Sequence, residues 1–215
     1  MNYGKIIVLE GTSNTGKTSA CEGLSQKAHF RIVPESIRIL ENLLSDKGDN
    51  ILFIPKNTEE EIRNQDILFD MEFIKIYAAN YFSRQGINVV IDKSALSIVS
   101  TAYAFENIGI TKSTYNLAEQ RLEEFINKMK LHHLRFPDLY VLLETNNEVS
   151  KKRNGVRDHV LLNLWNSKKV NEQQTFMLER ILRSTNVNFK IIDTTELTKN
   201  DVYESIIKSC ELSVG

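Results

Sequence analysis

The sequence predicts an α/β protein: a five-stranded, mainly parallel sheet with helices on both faces. Three observations predict it. Short apolar runs alternate with longer helical patterns along the whole chain. The first run leads straight into a glycine-rich turn of phosphate-binding type. The length, 215 residues, and a 41 % hydrophobic content suit one large domain over residues 1–215.

Ile6 to Leu9 is fully apolar and reads as a buried parallel strand. After Glu10, Gly11 to Thr18 (GTSNTGKT) fit G-x-x-x-x-G-K-[ST], the Walker A pattern. The spacing has a physical basis. Gly11 and Gly16 let the backbone N–H groups turn inward onto phosphate oxygens. Lys17 adds a mobile point charge, and the Thr18 hydroxyl can ligate Mg²⁺. A helix opens here, so its positive end faces the same anion. Gly11, Thr12, Ser13, Asn14, Thr15, Gly16, Lys17, Thr18 and Ser19 are therefore the expected nucleotide-binding residues.

The other elements follow in order. Thr18 to Lys27 reads as the first helix, and Arg31 to Val33 as a strand ended by Pro34. Ser36 is placed to cap a helix reaching about Leu44. Asp46 to Asn57 has loop composition. Thr58 and Glu61 fit a capping box at the start of a long helix, which Gly86 stops. Asn88 to Ile91 is the third strand. Helices follow at Ser97 to Phe105 and Thr111 to Leu131. Leu139 to Leu143 is the fourth strand. A short helix at Asn147 to Arg153 leads into the basic segment 151–159, and Val160 to Ser184 is helical again. Phe189 to Ile192 and Lys199 to Leu212 are the last strand and helix. Right-handed crossovers then make the sheet parallel.

Composition narrows the partners. A net charge of −1 leaves no basic footprint for a nucleic acid polymer. No apolar stretch approaches a membrane span, and the start has no signal-peptide character. Cys21 and Cys210 lie far apart and read as reduced thiols. A cytoplasmic location is the expectation. His132 and His133 are adjacent and share no helix face, so they make no metal site. Trp165, among leucines, reads as core.

Three features beyond the loop bear on chemistry. Glu35 ends the second strand, where ligands sit in open α/β sheets, and can accept a proton from an acceptor hydroxyl. Asp92 and Lys93 end the third strand: Asp92 can hold Mg²⁺ opposite Thr18, and Lys93 can neutralise the transferring phosphate. Arg153 and Arg157 lie in the basic segment and fit a lid that closes over phosphate.

These segments carry a family resemblance. IVLEGTSNTGKTS resembles the opening of the thymidylate kinase and deoxynucleoside kinase group, and IVPES resembles the Pro-Glu motif that places the deoxynucleoside kinases' catalytic base at Glu35. GINVVIDKSALSIVSTAYAF is similar to the group's Asp/Glu-Arg segment and following helix. PDLYVLLETNNEVSKKRNGVRDH is similar to its Pro-Asp strand and arginine lid, and IIDTTELTKNDVYESI to its last strand and helix. The resemblance implies a P-loop NTPase fold of the nucleoside/nucleotide kinase type. It also implies ATP and Mg²⁺ as cofactors, a nucleoside or nucleotide acceptor, and a homodimer as one assembly. In this group the long helix walls the acceptor pocket, which makes Phe73 and Tyr77 substrate candidates.

Two departures stand out. The group's Asp/Glu-Arg is Asp92-Lys93 here, and lysine lacks the bidentate fork. The arginines with which thymidylate kinases grip an acceptor phosphate are replaced by Val33-Pro34 and, on the long helix, Phe73. Their loss favours a hydroxyl acceptor, unless Arg31, Arg38 or Arg63 substitutes. The expected activity is γ-phosphoryl transfer from ATP to a nucleoside or nucleotide. Another hydroxylated acceptor and an NTP-dependent switch are the alternatives.

Overall fold

The computed structural model describes residues 2–44, 55–154 and 167–212. Among them a five-stranded sheet runs in the order β2-β3-β1-β4-β5, and every neighbouring pair is parallel. The strands are β1 (Ile6–Glu10), β2 (Arg31–Val33), β3 (Val89–Asp92), β4 (Leu139–Glu144) and β5 (Phe189–Asp193). The helices are α1 (Lys17–Ala28), α2 (Ser36–Leu44), α3 (Thr58–Arg84), α4 (Ala95–Asn107), α5 (Tyr115–Leu131), α6 (Asn147–Asn154), α7 (Lys168–Ser184) and α8 (Lys199–Leu212).

Strand alternation sorts the core into two layers. Ile7 and Leu9 of β1 point to one face, where α1 and α8 bring Leu24, Val202 and Ile206. Ile6 and Val8 point to the other, beneath Ile76, Ala79 and Met129 of α3 and α5. On that same side α4 and α7 pack Val99, Ala102, Leu178 and Leu182 over Leu142. Burial on both faces is why β1 and β3 read as unbroken apolar runs. Each such side chain contributes about 1.5–3 kcal/mol.

The chain leaves β1 toward β2 on one side and crosses from β3 to β4 on the other. The C-terminal ends of β1 and β3 therefore open a crevice, the usual ligand position in such sheets. It holds the glycine-rich loop, Glu35, Asp92 and Lys93.

Local details correct three expectations. Asn57, not Thr58, caps α3: its side chain accepts from Glu60 N at 2.9 Å, while Glu60 Oε2 accepts from Lys56 N at 2.7 Å. Thr58 Oγ1 instead accepts from Lys112 N, and Glu61 turns into the interior. Ser36 is no cap either; it is buried in the first turn of α2 and donates to Glu72 Oε1 at 2.6 Å. The fifth helix starts at Tyr115 and not Thr111, because the Thr111 and Thr114 hydroxyls bond each other at 2.8 Å in the preceding turn. Helix α7 is described only from Lys168; residues 160–166, with Trp165, lie outside the described residues. Cys21 and Cys210 are both buried.

Candidate active site

The loop from Gly11 to Gly16 is built on left-handed backbone. Gly11 has φ +138°, and a Cβ there would lie 2.3 Å from the Leu143 carbonyl oxygen. Asn14 (φ 64°) and Gly16 (φ 97°) make the further turns that deliver the chain to α1. The first N–H groups of α1 have no intrahelical acceptor and face the loop's centre. Lys17 Nζ bends back over the loop, donating to Thr12 O at 2.6 Å and Thr15 Oγ1 at 3.3 Å.

Burial, with the nearby Lys93 charge, lowers Lys17 to about 8; Asp92, Glu35 and Glu10 act the other way. A triphosphate must find this group charged. Nucleotide affinity is therefore expected to fall as pH rises through about 8, with net proton uptake on binding there. Titration calorimetry in buffers of different ionisation enthalpy reads this directly. Affinity flat to pH 9.5 would contradict it.

Thr18 and Asp92 meet as the sequence predicts. Thr18 Oγ1 donates to Asp92 Oδ2 at 3.3 Å, and Asp92 Oδ1 is buried with no hydrogen-bond partner among the described residues. An unpartnered carboxylate oxygen beside a hydroxyl and the phosphate loop suits Mg²⁺, which takes one or two protein oxygens plus substrate phosphates. Groups of three or more His, Cys, Asp or Glu able to hold a metal are absent among the described residues. Arg38, from α2, also donates to Thr18 Oγ1 at 3.3 Å.

Glu35 and Lys93 form an ion pair at the crevice, their side chains 21 % and 25 % exposed. Burial alone would raise the Glu35 carboxyl. Lys93, with Lys17 and Lys75 behind it, outweighs burial and holds Glu35 at about 2. Burial would lower Lys93, but Glu35 raises it. Lys93 also sits in left-handed backbone (φ 59°), a strained conformation for a residue with a side chain.

The groups that hold this strain escaped the sequence reading. Lys75 is 1 % exposed and donates to Asp92 O (3.2 Å), Lys93 O (2.9 Å) and Glu72 Oε1 (2.8 Å). Glu72 in turn accepts from Ser36, the residue after Glu35. One buried network thus ties α2, α3 and the end of β3 around the pair. Glu10 does the same for α4. Its buried carboxylate accepts from Ser94 N (2.9 Å), Ser94 Oγ (2.5 Å) and Ser97 Oγ (2.6 Å). Burial pushes Glu10 up, and the serine hydroxyls oppose it.

Arg153 lies against the loop, but its hydrogen bonds are to protein atoms. Its guanidinium donates to Asn14 O (3.2 Å), Thr194 Oγ1 (3.0 Å) and Thr194 O (2.7 Å). Thr194, fully buried after β5, donates to Thr15 O and Glu144 O. Ser150 Oγ reaches Ser13 O at 3.4 Å. Helix α6 therefore braces the loop's outer backbone. Arg157 lies outside the described residues. Ser19 follows Thr18 in the first turn of α1 and is half-buried.

A cleft runs from Gly11, Glu35 and Lys93 between α3, α4 and α7. Its α3 wall is Glu61, Asn64, Leu68 and Glu72, one face of the helix. Phe73 and Tyr77 are not on that face. Phe73 packs edge-on against Phe125 and His132, and Tyr77 is 56 % exposed. The aromatic spacing marks a core stripe and a solvent stripe, and the cleft wall is the stripe beside them. Of the substitute arginines, Arg38 alone reaches the site; Arg31 stacks over Phe82, and Arg63 is exposed.

No family model matches the chain. Curated relatives do. The thymidylate kinase of Danio rerio is 26 % identical over 224 residues, spanning 97 % of this chain and 93 % of that one. The thymidylate kinase of Buchnera aphidicola (subsp. Schizaphis graminum) is 24 % identical over 223 residues, with 94 % and 96 % covered. Among solved structures, the thymidylate kinase of Candida albicans superposes with a TM-score of 0.72 at 16 % identity, covering 98 % of this chain and 92 % of that one. The deoxyadenosine kinase of M. mycoides with bound dATP gives 0.69 at 17 % identity, covering 96 % and 99 %. The fold expected from the sequence is the fold of these structures.

Proposed function

We propose that this chain, a nucleoside/nucleotide kinase of the thymidylate kinase-like P-loop type, transfers the γ-phosphoryl group of ATP to the hydroxyl of a nucleoside. The observation that carries the choice of acceptor is the charge at the cleft mouth. Among the described lining residues Lys93 is the only cation, and Glu35 already neutralises it. Glu72 is likewise neutralised, by Lys75, so the lining carries no surplus positive charge. A dianionic monophosphate would find no unneutralised cation among the described lining residues, whereas a neutral hydroxyl needs none.

In this reading the loop N–H groups and Lys17 hold the triphosphate. Thr18 and Asp92 would hold Mg²⁺, which would supply charge neutralisation on the phosphate oxygens. The acceptor oxygen bonds to the γ-phosphorus, the bond from that phosphorus to the β,γ-bridging oxygen breaks, and ADP leaves. The hydroxyl proton passes to Glu35. The transition state is loose, so a carboxylate held at about 2 suffices, because the proton moves late. Lys93, released in part from Glu35, then faces the transferring group. On the outer face of α3, exposed Ile67, Ile74, Tyr77 and Tyr81 support the pairing of two copies.

Glu35→Gln is expected to lower kcat by roughly 10²–10⁴-fold with little change in the KM for ATP. Steady-state kinetics with saturating nucleoside reads it, and an unchanged kcat would sink the base assignment. A second reading, a monophosphate acceptor, is favoured by the full-length thymidylate kinase likeness and by Arg38 beside Thr18. Under it Arg38→Ala raises the acceptor KM, whereas under ours the acceptor KM is unmoved.

A further inference from the structure

We propose that Arg38 is a further catalytic residue: its guanidinium gives up the Thr18 hydroxyl to Mg²⁺ and turns onto the γ-phosphoryl oxygens, where it steadies the charge of the transferring group. The inference rests on the nucleoside-kinase reading above and adds a residue to its donor side. Local sequence sets the place of Arg38. Strand β2 ends at Val33, Pro34 follows, and Ser36 is fixed in the first turn of α2 by its bond to Glu72 Oε1 at 2.6 Å. Arg38 N donates to Glu35 O at 3.0 Å, so the guanidinium and the proposed base share one turn of chain. Successive helix positions point about 100° apart. Glu35, Ser36 and Ile37 line the acceptor cleft, whereas Arg38 does not, and its side chain reaches the phosphate loop instead.

Arg38 Nη2 donates to Thr18 Oγ1 at 3.3 Å, and Thr18 Oγ1 donates in turn to Asp92 Oδ2. No ion pair among the described residues includes Arg38, so no carboxylate there holds it in place. The bond to Thr18 is long for N–H···O and its acceptor is uncharged, which makes it easy to exchange. In a loop of this pattern the same hydroxyl oxygen is a Mg²⁺ ligand. A guanidinium left beside a divalent ion is repelled by it. The anions nearest to receive Arg38 are then oxygens of the triphosphate, which such an ion bridges.

The other cations of the site are engaged or of the wrong shape. Lys93 is paired with Glu35 and, as an ammonium, presents no fork to two phosphate oxygens. Lys17 lies over the loop on Thr12 O and Thr15 Oγ1. Arg153 directs its guanidinium to Asn14 O and to Thr194. Among the described residues Arg38 alone brings a guanidinium to the Thr18 hydroxyl. Its planar fork matches a phosphoryl group in transfer, whose charge is spread over the equatorial oxygens. Arg38 exchanges no proton: the acceptor's proton still passes to Glu35, and ADP still leaves with the bridging oxygen.

Steady-state kinetics on the nucleoside that the wild type phosphorylates fastest, with titration calorimetry beside them, tests the assignment. Arg38 is exposed, so Arg38→Ala should fold, which thermal melting checks. It is expected to lower kcat roughly 10²–10³-fold and to leave the nucleoside KM within about twofold. Arg38→Lys keeps the charge without the fork and is expected to stay down by roughly tenfold or more. Calorimetry compares ADP with Mg²⁺ in the absence and presence of aluminium fluoride, a mimic of the transferring phosphoryl group. Arg38→Ala is expected to leave the ADP affinity unchanged and to weaken the aluminium fluoride complex by roughly tenfold or more. A kcat within about threefold of wild type, full activity in Arg38→Lys, or an aluminium fluoride complex as tight as that of the wild type would overturn the inference and leave the nucleoside-kinase reading standing. Transfer only to monophosphates, with Arg38→Ala raising the monophosphate KM, would overturn that reading and the inference with it.

Discussion

Lys17→Ala is expected to abolish measurable phosphotransfer, a loss of roughly 10³-fold or more in kcat/KM. The lysine is the mobile cation of the loop, and its charge counts most when negative charge shifts between the β- and γ-phosphates. Stability should move little or upward. The side chain is 7 % exposed, and its protein partners are one carbonyl and one hydroxyl of the same loop. Removing it relieves a desolvated charge, which burial already presses toward neutrality. Coupled ADP release together with thermal melting separates the two effects. A variant that melts normally yet retains a tenth of the activity would contradict the loop's role.

Lys75→Ala is expected to produce the largest loss of stability. The ammonium is 1 % exposed and serves three acceptors at once. Without it Glu72 keeps only the Ser36 hydroxyl, and the carbonyls of Asp92 and Lys93 lose their donor. Breaking one side of a buried pair costs about 3–5 kcal/mol, a fall in Tm of roughly 6–20 °C at this size. Glu72→Gln/Lys75→Met, with no charge left behind, should recover part of that loss. Activity should not recover with it, because Lys93 holds its left-handed turn through the Lys75 bond. A fall in Tm below 2 °C for Lys75→Ala would mean that water reaches the pair.

The difference between Lys17 and Lys75 explains what the sequence could carry. Lys17 sits in a pattern whose spacing is set by local backbone geometry, so it is legible in a single line of residues. The strands are legible for a similar reason. A parallel strand buried on both faces has no polar alternation, and β1, β3 and β4 show none. Glu72 and Lys75, in contrast, look like any surface pair three apart on a long helix; only the sheet packed against α3 makes them interior. The same packing decides which stripe of α3 faces the cleft. Phe73 and Tyr77 are conspicuous in sequence, yet Glu61, Asn64 and Leu68 line the wall. Arg153 was read from its basic neighbourhood, and its bonds to Asn14 and Thr194 depend on β5, far along the chain. The one-residue shift of the α3 cap from Thr58 to Asn57 is local, but both residues are good caps, and the Lys112 amide that occupies Thr58 decides between them.

The most direct test of the central claim follows the phosphate itself. γ-³²P-ATP, Mg²⁺ and the full chain are incubated with a panel of nucleosides and, separately, with nucleoside monophosphates. Labelled nucleoside monophosphate as the product, lost in Lys17→Ala and sharply reduced in Glu35→Gln, is the predicted result. Label that appears only in nucleoside diphosphates would contradict it, and would place an acceptor phosphate where the Glu35–Lys93 pair now argues for a hydroxyl.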